Sequence, residues 1–242
     1  MITFLYRIYQ LLVMVPLMLV VTALTAVVTA TGCMLFGPKW WGYWPPMVWS
    51  RIMCALTLVR VEVRGRENIS ERQSYVFVAN HQGAYDIFAI YGYLGHNFRW
   101  MMKKSLERIP LVGWACRRAG QIFVDNHSAH AIAQTMKAAE RQLAGGMSLV
   151  VFPEGARTFT GEVGRFKRGA YTLATGFGLP VVPVTIDGAF RVLPRTRKVP
   201  MYGTIRLTVH KPIAASDPNL IDDSRRAILD GLSDRSDRSD NF

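Results

Sequence analysis

The chain has 242 residues, half of them apolar and 11% aromatic, and it carries 29 Lys and Arg against 17 Asp and Glu, a net charge of +12. This length suits one folded domain with an appendage, and the apolar content argues against a largely disordered chain. Three cysteines without CxxC or Cys/His ligand spacing argue against a disulfide framework and a zinc site. The excess of positive charge indicates an anionic partner: nucleic acid, an anionic membrane surface or a phosphorylated substrate.

The N-terminal part of the chain has the composition of a membrane segment, since no charged side chain occurs between residues 8 and 38. A helix over residues 11–36 would be roughly 39 Å long, against roughly 30 Å for the hydrocarbon core of a bilayer. Pro16 and Gly32 interrupt this run. A helix that spans the membrane and a kinked helix that only dips into it are therefore both open.

The segment that follows has the composition of a membrane interface. It contains five aromatic residues and two cations, namely Trp40, Trp41, Tyr43, Trp44, Trp49, Lys39 and Arg51. Aromatic rings with a polar edge favour the headgroup level, and the cations favour anionic lipids. A second apolar run, residues 52–59, is too short to cross a bilayer and is expected to return along its surface. We interpret residues 1–58 as a membrane-anchoring helical motif.

From residue 59 onward, short β-rich runs alternate with helical patterns, which predicts an α/β fold. Seven strands are predicted, over residues 59–64, 75–79, 98–102, 121–124, 148–152, 181–186 and 204–209. Four helices are predicted between them, over residues 86–94, 111–119, 128–143 and 167–175, with Ser128 as an N-cap. Residues 59–232 are expected to form the folded domain. The polar repeat SDRSDRSDN predicts a disordered tail over residues 233–242.

The first motif that could carry chemistry lies where a buried strand leads into His81 and Asp86 opens the next helix. On a regular helix these residues would be rotated by roughly 140° from each other, so they can meet only across a turn. Gly83 is expected to allow that turn through a positive φ. A carboxylate on one imidazole nitrogen fixes the tautomer and leaves the other nitrogen as a general base. The pattern predicts a His–Asp dyad, and the alternative is a histidine beside a helix-capping aspartate.

The second motif, FPEGART over residues 152–158, follows another buried strand. Arg157 has a planar guanidinium suited to phosphate, and Glu154 is expected to orient Arg157 or to accept from a substrate hydroxyl. Further cations follow neighbouring elements, namely Lys103, Lys104, Arg165, Lys167 and Arg168. For each of these residues alone, a solvated charge in a surface turn is the competing interpretation.

Four blocks in this order resemble the glycerolipid acyltransferase family over residues 59–212. They are NHQGAYD (80–86), GQIFVDN (120–126), FPEGART (152–158) and VVPVTI (181–186). The resemblance implies the family's fold, a mixed central sheet of about seven strands flanked by helices.

The resemblance also implies 1-acylglycerol-3-phosphate O-acyltransferase activity. A fatty acyl group would pass from a thioester, on acyl carrier protein or coenzyme A, to the 2-hydroxyl of lysophosphatidic acid, and phosphatidic acid would form. His81 would deprotonate the hydroxyl and Asp86 would hold His81. The glycerol phosphate would be bound by Glu154, Gly155 and Arg157, with Lys103 or Lys104 assisting. The implied setting is the bacterial cytoplasmic membrane, with the catalytic domain on the cytosolic side and without a metal or cofactor.

Three departures from the family pattern leave the acceptor open. The chain has Gly83 where the family commonly has Ser, Asn126 where it usually has Arg or Lys, and Ala156 where it often has Thr. Acylation of another lysolipid, such as a lyso-ornithine lipid or a lysophospholipid, and a non-catalytic membrane scaffold are the alternatives. A metal-dependent hydrolase would use His81, Asp86, His127 and His130, but the chain lacks a further acidic ligand cluster beside them. Nucleic-acid binding would leave the apolar N-terminus unexplained.

Overall fold

The structure is a computed structural model that describes residues 2–125 and 127–233. The chain begins with α1 (Ile2–Tyr9), a π-helical segment (Gln10–Met14) and α2 (Val15–Phe36). The predicted helix therefore ends at the predicted residue but starts nine residues earlier, at Ile2 instead of residue 11. Pro16 has no N–H to donate, and it is accommodated in the first turn of α2, directly after the π-helical segment.

By length and composition, the 33 residues from Phe4 to Phe36 could cross a membrane, since they contain an 18-residue stretch with a mean hydropathy of 2.7.

Two further helices, α3 (Pro38–Trp41) and α4 (Trp44–Leu56), follow. Residues 52–59, which are expected to return along the membrane surface, form the end of α4 and the start of the first strand, and their place at that surface stays a prediction. The aromatic residues also divide into two groups. Trp40 and Trp44 are exposed, whereas Tyr43 is buried and the Nε1 atom of Trp49 donates to Oγ1 of Thr22 at 3.0 Å.

A seven-stranded mixed sheet forms the centre of the domain, as predicted. Its strands are β1 (Val59–Arg64), β2 (Val76–Ala79), β3 (Phe98–Lys103), β4 (Ile122–Val124), β5 (Ser148–Val151), β6 (Val181–Asp187) and β7 (Gly203–Val209). Their order in space is β1-β7-β6-β2-β5-β3-β4, and β6 with β7 is the antiparallel pair while the other pairs are parallel. The carboxyl ends of β2, β5 and β3 therefore meet at one edge of the sheet.

The four predicted helices are confirmed with ends that differ by two residues or fewer. They are α5 (Tyr85–Tyr93), α6 (Val112–Arg118), α7 (Ala129–Ala144) and α8 (Gly169–Phe177), and Ser128 caps α7 by accepting from the N–H of Ala131. Two 3₁₀ segments, Arg66–Asn68 and Lys104–Arg108, and a short α9 (Ala189–Val192) complete the connections.

The last helix, α10 (Leu220–Ser233), is absent from the sequence-based prediction. It includes Ser233, so the predicted disordered tail begins one residue too early. The rest of that tail lies outside the described residues.

The two faces of the sheet pack against different helices. Phe77 and Ala79 of β2 belong to a core that contains residues of α4 and α5, whereas Val76 and Val78 belong to a core with residues of α7, α8 and α10. This alternation is the period-2 pattern of a strand buried on both faces.

Hydrogen bonds attach the N-terminal helices to the domain at both ends. The side-chain amide of Gln10 donates to the carbonyl of Pro200 at 2.6 Å near the start, and Arg99 Nη2 donates to the carbonyl of Pro38 at 2.6 Å after the end of α2. Strand β1 begins at Val59, next to the predicted boundary at residue 58, and that boundary stays a prediction.

Candidate active site

His81 and Asp86 lie at the carboxyl end of β2, His81 in the loop after the strand and Asp86 in the first turn of α5. His81 Nδ1 and Asp86 Oδ2 are 2.7 Å apart, so the predicted contact across a turn is confirmed. The same oxygen accepts from the backbone N–H groups of Gln82, at 2.6 Å, and Gly83, at 2.8 Å. Burial raises the pKa of Asp86, and these three hydrogen bonds oppose that rise. Among the described residues, the Nε2 atom of His81 has no partner.

The turn does not use the positive φ that the sequence suggested for Gly83. Its backbone is outside the left-handed region, and space is what the position requires. A Cβ on Gly83 would lie 2.5 Å from the carbonyl oxygen of Ala189 and 2.8 Å from that of Leu193. Because Gly83 has no side chain, the segment that contains Ala189 and Leu193 packs directly against the loop after β2. There the Ala84 N–H donates to the Leu193 carbonyl at 3.1 Å. A serine at this position would require the segment to move.

A second carboxylate, that of Glu154, holds the His81 loop from the neighbouring strand β5. Its Oε1 accepts from the His81 N–H at 2.7 Å, and its Oε2 accepts from the Gly164 N–H at 2.8 Å. Burial raises the pKa of Glu154, and both hydrogen bonds oppose the rise. The prediction that Glu154 orients Arg157 is wrong, because both carboxylate oxygens bind backbone N–H groups instead.

An aromatic stack, which the sequence analysis missed, supports the His81 imidazole. The Phe152 ring lies parallel to it, with the ring centroids 3.9 Å apart and the planes 6° apart. Trp100 stacks on Phe152 in turn, with a centroid distance of 5.3 Å. The Thr158 N–H also donates to the His81 carbonyl at 2.9 Å. These contacts fix both the plane of the imidazole and the backbone that carries it.

A cavity of about 700 Å³, which we call the catalytic cavity, opens beside His81. Its polar part includes His81, Lys103, Gly155 and Lys167. Its apolar part is lined by side chains from several helices and strands, among them Ala26, Trp49, Ile87, Tyr91, Trp100 and Ala115. A cavity of this size with a polar end is typical of a site for an apolar ligand that carries a polar group.

The cations predicted to bind phosphate differ in their relation to this cavity. Lys103 lines the cavity, whereas Lys104 is outside its lining and pairs with Glu107 at 3.0 Å. Arg157 is half-buried beside Thr158 and has no hydrogen-bond or ion-pair partner within the described part of the chain. Like Lys104, Arg157 is outside the lining of the catalytic cavity, but its side chain is unpaired in the described part of the chain, whereas Lys104 is already paired.

Gly155 and Lys167 form a contact that the sequence analysis did not predict. Gly155 has a φ of +78°, and a Cβ there would lie 2.5 Å from Lys167 Nζ. The positive φ favours glycine at this position, and a side chain there would displace the Lys167 ammonium group. Lys167 precedes α8, and its ammonium group adds positive charge to the polar end of the catalytic cavity.

Other residues considered from the sequence do not join this site. Within the described ranges, no group of three or more His, Cys, Asp and Glu side chains could hold a metal ion, and His130 contacts Gln134. Asn126 lies outside the described residues. Cys116 lines the catalytic cavity, and burial raises the pKa of its thiol to about 11, which disfavours a nucleophilic thiolate.

Comparison with known proteins identifies the family. The family model described as Acyltransferase matches residues 60–187, which is more than half of the chain. The chain belongs to the acyltransferase family. The matched segment contains the dyad, Glu154, the phosphate-binding candidates and strands β2 to β6.

Individual acyltransferases resemble the chain over most of its length. It is 31% identical to the chloroplastic 1-acyl-sn-glycerol-3-phosphate acyltransferase BAT2 of Brassica napus, over 72% of this chain and 51% of that protein. It is 30% identical to the 1-acyl-sn-glycerol-3-phosphate acyltransferase of Saccharomyces cerevisiae, over 85% of this chain and 69% of that protein. The chain spans about half the length of the chloroplast relatives that it matches.

The fold is also shared with a solved structure. The crystal structure of the 1-acyl-sn-glycerophosphate acyltransferase PlsC from Thermotoga maritima superimposes with a TM-score of 0.74 at 24% identity, over 92% of this chain and 98% of that chain. The implied acyltransferase fold is therefore confirmed, including the N-terminal helices.

The stacked ring of Phe152 provides a test of how this acyltransferase orients its histidine. Phe152→Ala should lower kcat about 10- to 100-fold, because a small displacement of a catalytic group is this costly. Phe152→Tyr keeps the ring and should restore most of the rate. Steady-state kinetics of both variants, with circular dichroism as a folding control, check this. Equal losses in both variants would contradict an orienting role for the ring.

Proposed function

We propose that this acyltransferase transfers an acyl group from a thioester to the 2-hydroxyl of lysophosphatidic acid, with His81 as the general base. One observation carries the proposal: a histidine held by a buried aspartate lies at the polar end of a large apolar cavity. The names of the relatives support lysophosphatidic acid as the acceptor.

The geometry supports the following proton transfers. The Nδ1–H group of His81 stays hydrogen-bonded to Asp86, so the unprotonated Nε2 atom accepts the proton of the acceptor hydroxyl. The hydroxyl oxygen then attacks the thioester carbonyl, the carbon–sulfur bond breaks, and the imidazolium returns the proton to the thiolate. Asp86 stabilises the imidazolium meanwhile. No covalent acyl-enzyme, metal or cofactor enters this mechanism, because the thioester is itself the activated donor.

The polar end of the cavity supports a role in holding the acceptor phosphate. Lys103 and Lys167 line it, and Arg157 follows in the same loop as Gly155. Guanidinium and ammonium groups bind phosphate through charge-assisted hydrogen bonds. Glu154 contributes by positioning, since its two oxygens fix the His81 loop against Gly164.

The hydrogen bonds between the N-terminal helices and the domain support a position of these helices in a single membrane leaflet. Gln10 and Pro38, near the two ends of the apolar helix, are both hydrogen-bonded to the same domain. A helix fixed in this way cannot pass to the far side of a bilayer while the domain remains in water. Its outer face carries exposed apolar side chains that suit lipid, including Leu12, Leu19, Leu24, Leu35 and Phe36. We place the domain on the cytosolic side of a bacterial cytoplasmic membrane, where thioester donors occur.

The reaction is tested with purified protein in liposomes, acyl-carrier-protein and coenzyme A thioesters as donors, and a panel of lysolipid acceptors. His81→Ala should lower turnover at least about 100-fold, the lower range for a lost general base, while folding and membrane binding persist. His130→Ala, an exposed histidine outside the cavity, serves as the control.

Transfer to a lysolipid other than lysophosphatidic acid would replace the acceptor and keep the mechanism. Comparable turnover in His81→Ala would remove this residue from the mechanism. A folded, membrane-bound wild type without transfer to any acceptor would indicate a scaffold.

Arg157→Ala should chiefly raise the acceptor KM, by about tenfold, if the guanidinium binds the phosphate equally in the ground and transition states. Lys104→Ala removes a neighbouring cation that is paired with Glu107 and outside the cavity lining, and it should have little effect. Titration of lysophosphatidic acid at saturating donor measures both variants. An unchanged acceptor KM in Arg157→Ala would refute the phosphate-binding role.

If the apolar helix lies in one membrane leaflet, both of its ends are on the same side of the membrane as the domain. Tags at the N- and C-termini of the chain should be cleaved together by protease added to that side of intact vesicles. Molecules inserted in the opposite orientation should have both tags cleaved only after detergent opens the vesicles. This population is the control. Protection of the N-terminal tag alone would indicate a membrane-spanning helix.

A further inference from the structure

A second cavity, of about 490 Å³, lies on the far side of the loop that precedes α8. Its walls come from this loop and from the first two turns of α10, and they contain Val163, Gly164, Arg165, Phe166, Arg168, Ile221, Asp222 and Arg225. We call it the arginine cavity. Val163, Phe166 and Leu220 belong to the core on the α7, α8 and α10 face of the sheet. The arginine cavity is therefore on the face opposite to α4 and α5.

The charges of the arginine cavity suit an anion. Three arginines face one acid, Asp222. Arg165 and Arg168 are exposed and have neither a hydrogen-bond nor an ion-pair partner among the described residues. Arg225 is half-buried and donates to the carbonyls of Val163, at 3.2 Å, and Gly164, at 3.4 Å. One guanidinium thus shapes the wall, and two are free to bind.

The loop over residues 163–168 separates the arginine cavity from the catalytic cavity. Arg165 and Arg168 line the arginine cavity, whereas Lys167 lines the catalytic cavity. Gly164 donates to Glu154, and the other oxygen of the same carboxylate accepts from His81. A single carboxylate therefore connects the wall of the arginine cavity to the catalytic loop.

The position of this cavity favours a ligand from the aqueous phase over a lipid headgroup. The apolar helix α2 packs on α4 and α6, and α4 covers the opposite face of the sheet. The reaction needs one water-soluble substrate, the thioester donor. Coenzyme A and acyl carrier protein both present their thioester on a pantetheine arm that ends in a phosphate ester. Planar guanidinium groups in a concave site suit such a phosphate.

We propose that the arginine cavity binds the phosphate of the donor's phosphopantetheine arm, through Arg165 and Arg168. This inference rests on the proposed acyl transfer from a thioester. The donor phosphate binds on the water-facing side of the loop over residues 163–168. The pantetheine arm extends past this loop into the catalytic cavity, so that the thioester reaches His81. The cavity thereby separates the donor phosphate from the acceptor phosphate, which binds among the cations of the catalytic cavity.

The test compares acyl-phosphopantetheine with acyl-pantetheine, which lacks the phosphate, in the wild type and in the double variant Arg165→Ala/Arg168→Ala. In the wild type, the KM for acyl-phosphopantetheine should be lower than the KM for acyl-pantetheine. This phosphate advantage, the ratio of the two KM values, should fall about tenfold in the double variant. The acceptor KM should stay within twofold of the wild type. An equal phosphate advantage in both proteins would overturn the proposal.

Arg226→Ala is the matched control, because Arg226 is a neighbouring, exposed arginine of α10 that pairs with Asp223 at 2.7 Å. It should keep the full phosphate advantage, and a loss equal to that of the double variant would show a nonspecific charge effect and overturn the proposal. Parallel titrations with acyl-coenzyme A and acyl carrier protein then show which source supplies the phosphate: the donor whose KM rises about tenfold in the double variant.

A binding experiment separates failure of this proposal from failure of the proposed function. Phosphopantetheine and pantetheine are titrated calorimetrically into the full chain in detergent, without an acceptor. Phosphate-dependent binding that is lost in the double variant supports the site even where no acyl transfer occurs. Equal binding of the two compounds, or no binding of either, refutes it.

Discussion

The hydrogen bond between His81 Nδ1 and Asp86 Oδ2 is the constraint on which the site depends, because Asp86 is completely buried. A buried carboxylate is costly unless donors surround it. Two of its three donors are the backbone N–H groups of Gln82 and Gly83, so the loop is fixed by the same oxygen that fixes the imidazole. The conformation that brings three donors to Oδ2 of Asp86 is therefore the one that leaves Nε2 of His81 open to a substrate.

Sheet order supplies the remaining support of that loop. Strand β2 lies between β6 and β5, and both neighbours reach the loop. The Asn80 side chain bonds to the N–H and the carbonyl of Ile186 on β6, each at 2.8 Å, while Glu154 after β5 accepts from the His81 N–H. Residues that are 70 to 110 positions apart in the chain thus fix the turn that carries His81. This explains why an amide and an acidic side chain at the ends of two neighbouring strands can act together.

Local sequence patterns predicted the strands and the contact between two residues that are close together in the chain. The alternation in β1 and the buried runs of the other strands predicted the sheet, and the spacing of His81 and Asp86 predicted their contact. The partners of Glu154 were missed, because an acid three residues before Arg157 suggests an ion pair, whereas the folded chain offers it two backbone N–H groups. The stack on Phe152 depends on β2 and β5 being neighbours, which no local pattern shows. Helix α10 was missed although Leu220, Ser224 and Ile228 repeat at helical spacing.

The apolar N-terminal helix has two functions that cannot be separated. Its outer face is exposed and apolar, whereas Thr22, Ala26 and Thr29 on its inner face line the cavity that contains His81. Small residues make this possible, because Ala26 packs against Ala115 of α6 and leaves room beside it. The wall of the catalytic cavity is thus the same element that carries the exposed apolar face. If that face lies in a bilayer as proposed, the packing of α2 on α6 sets both the position of the helix in the membrane and the shape of the cavity.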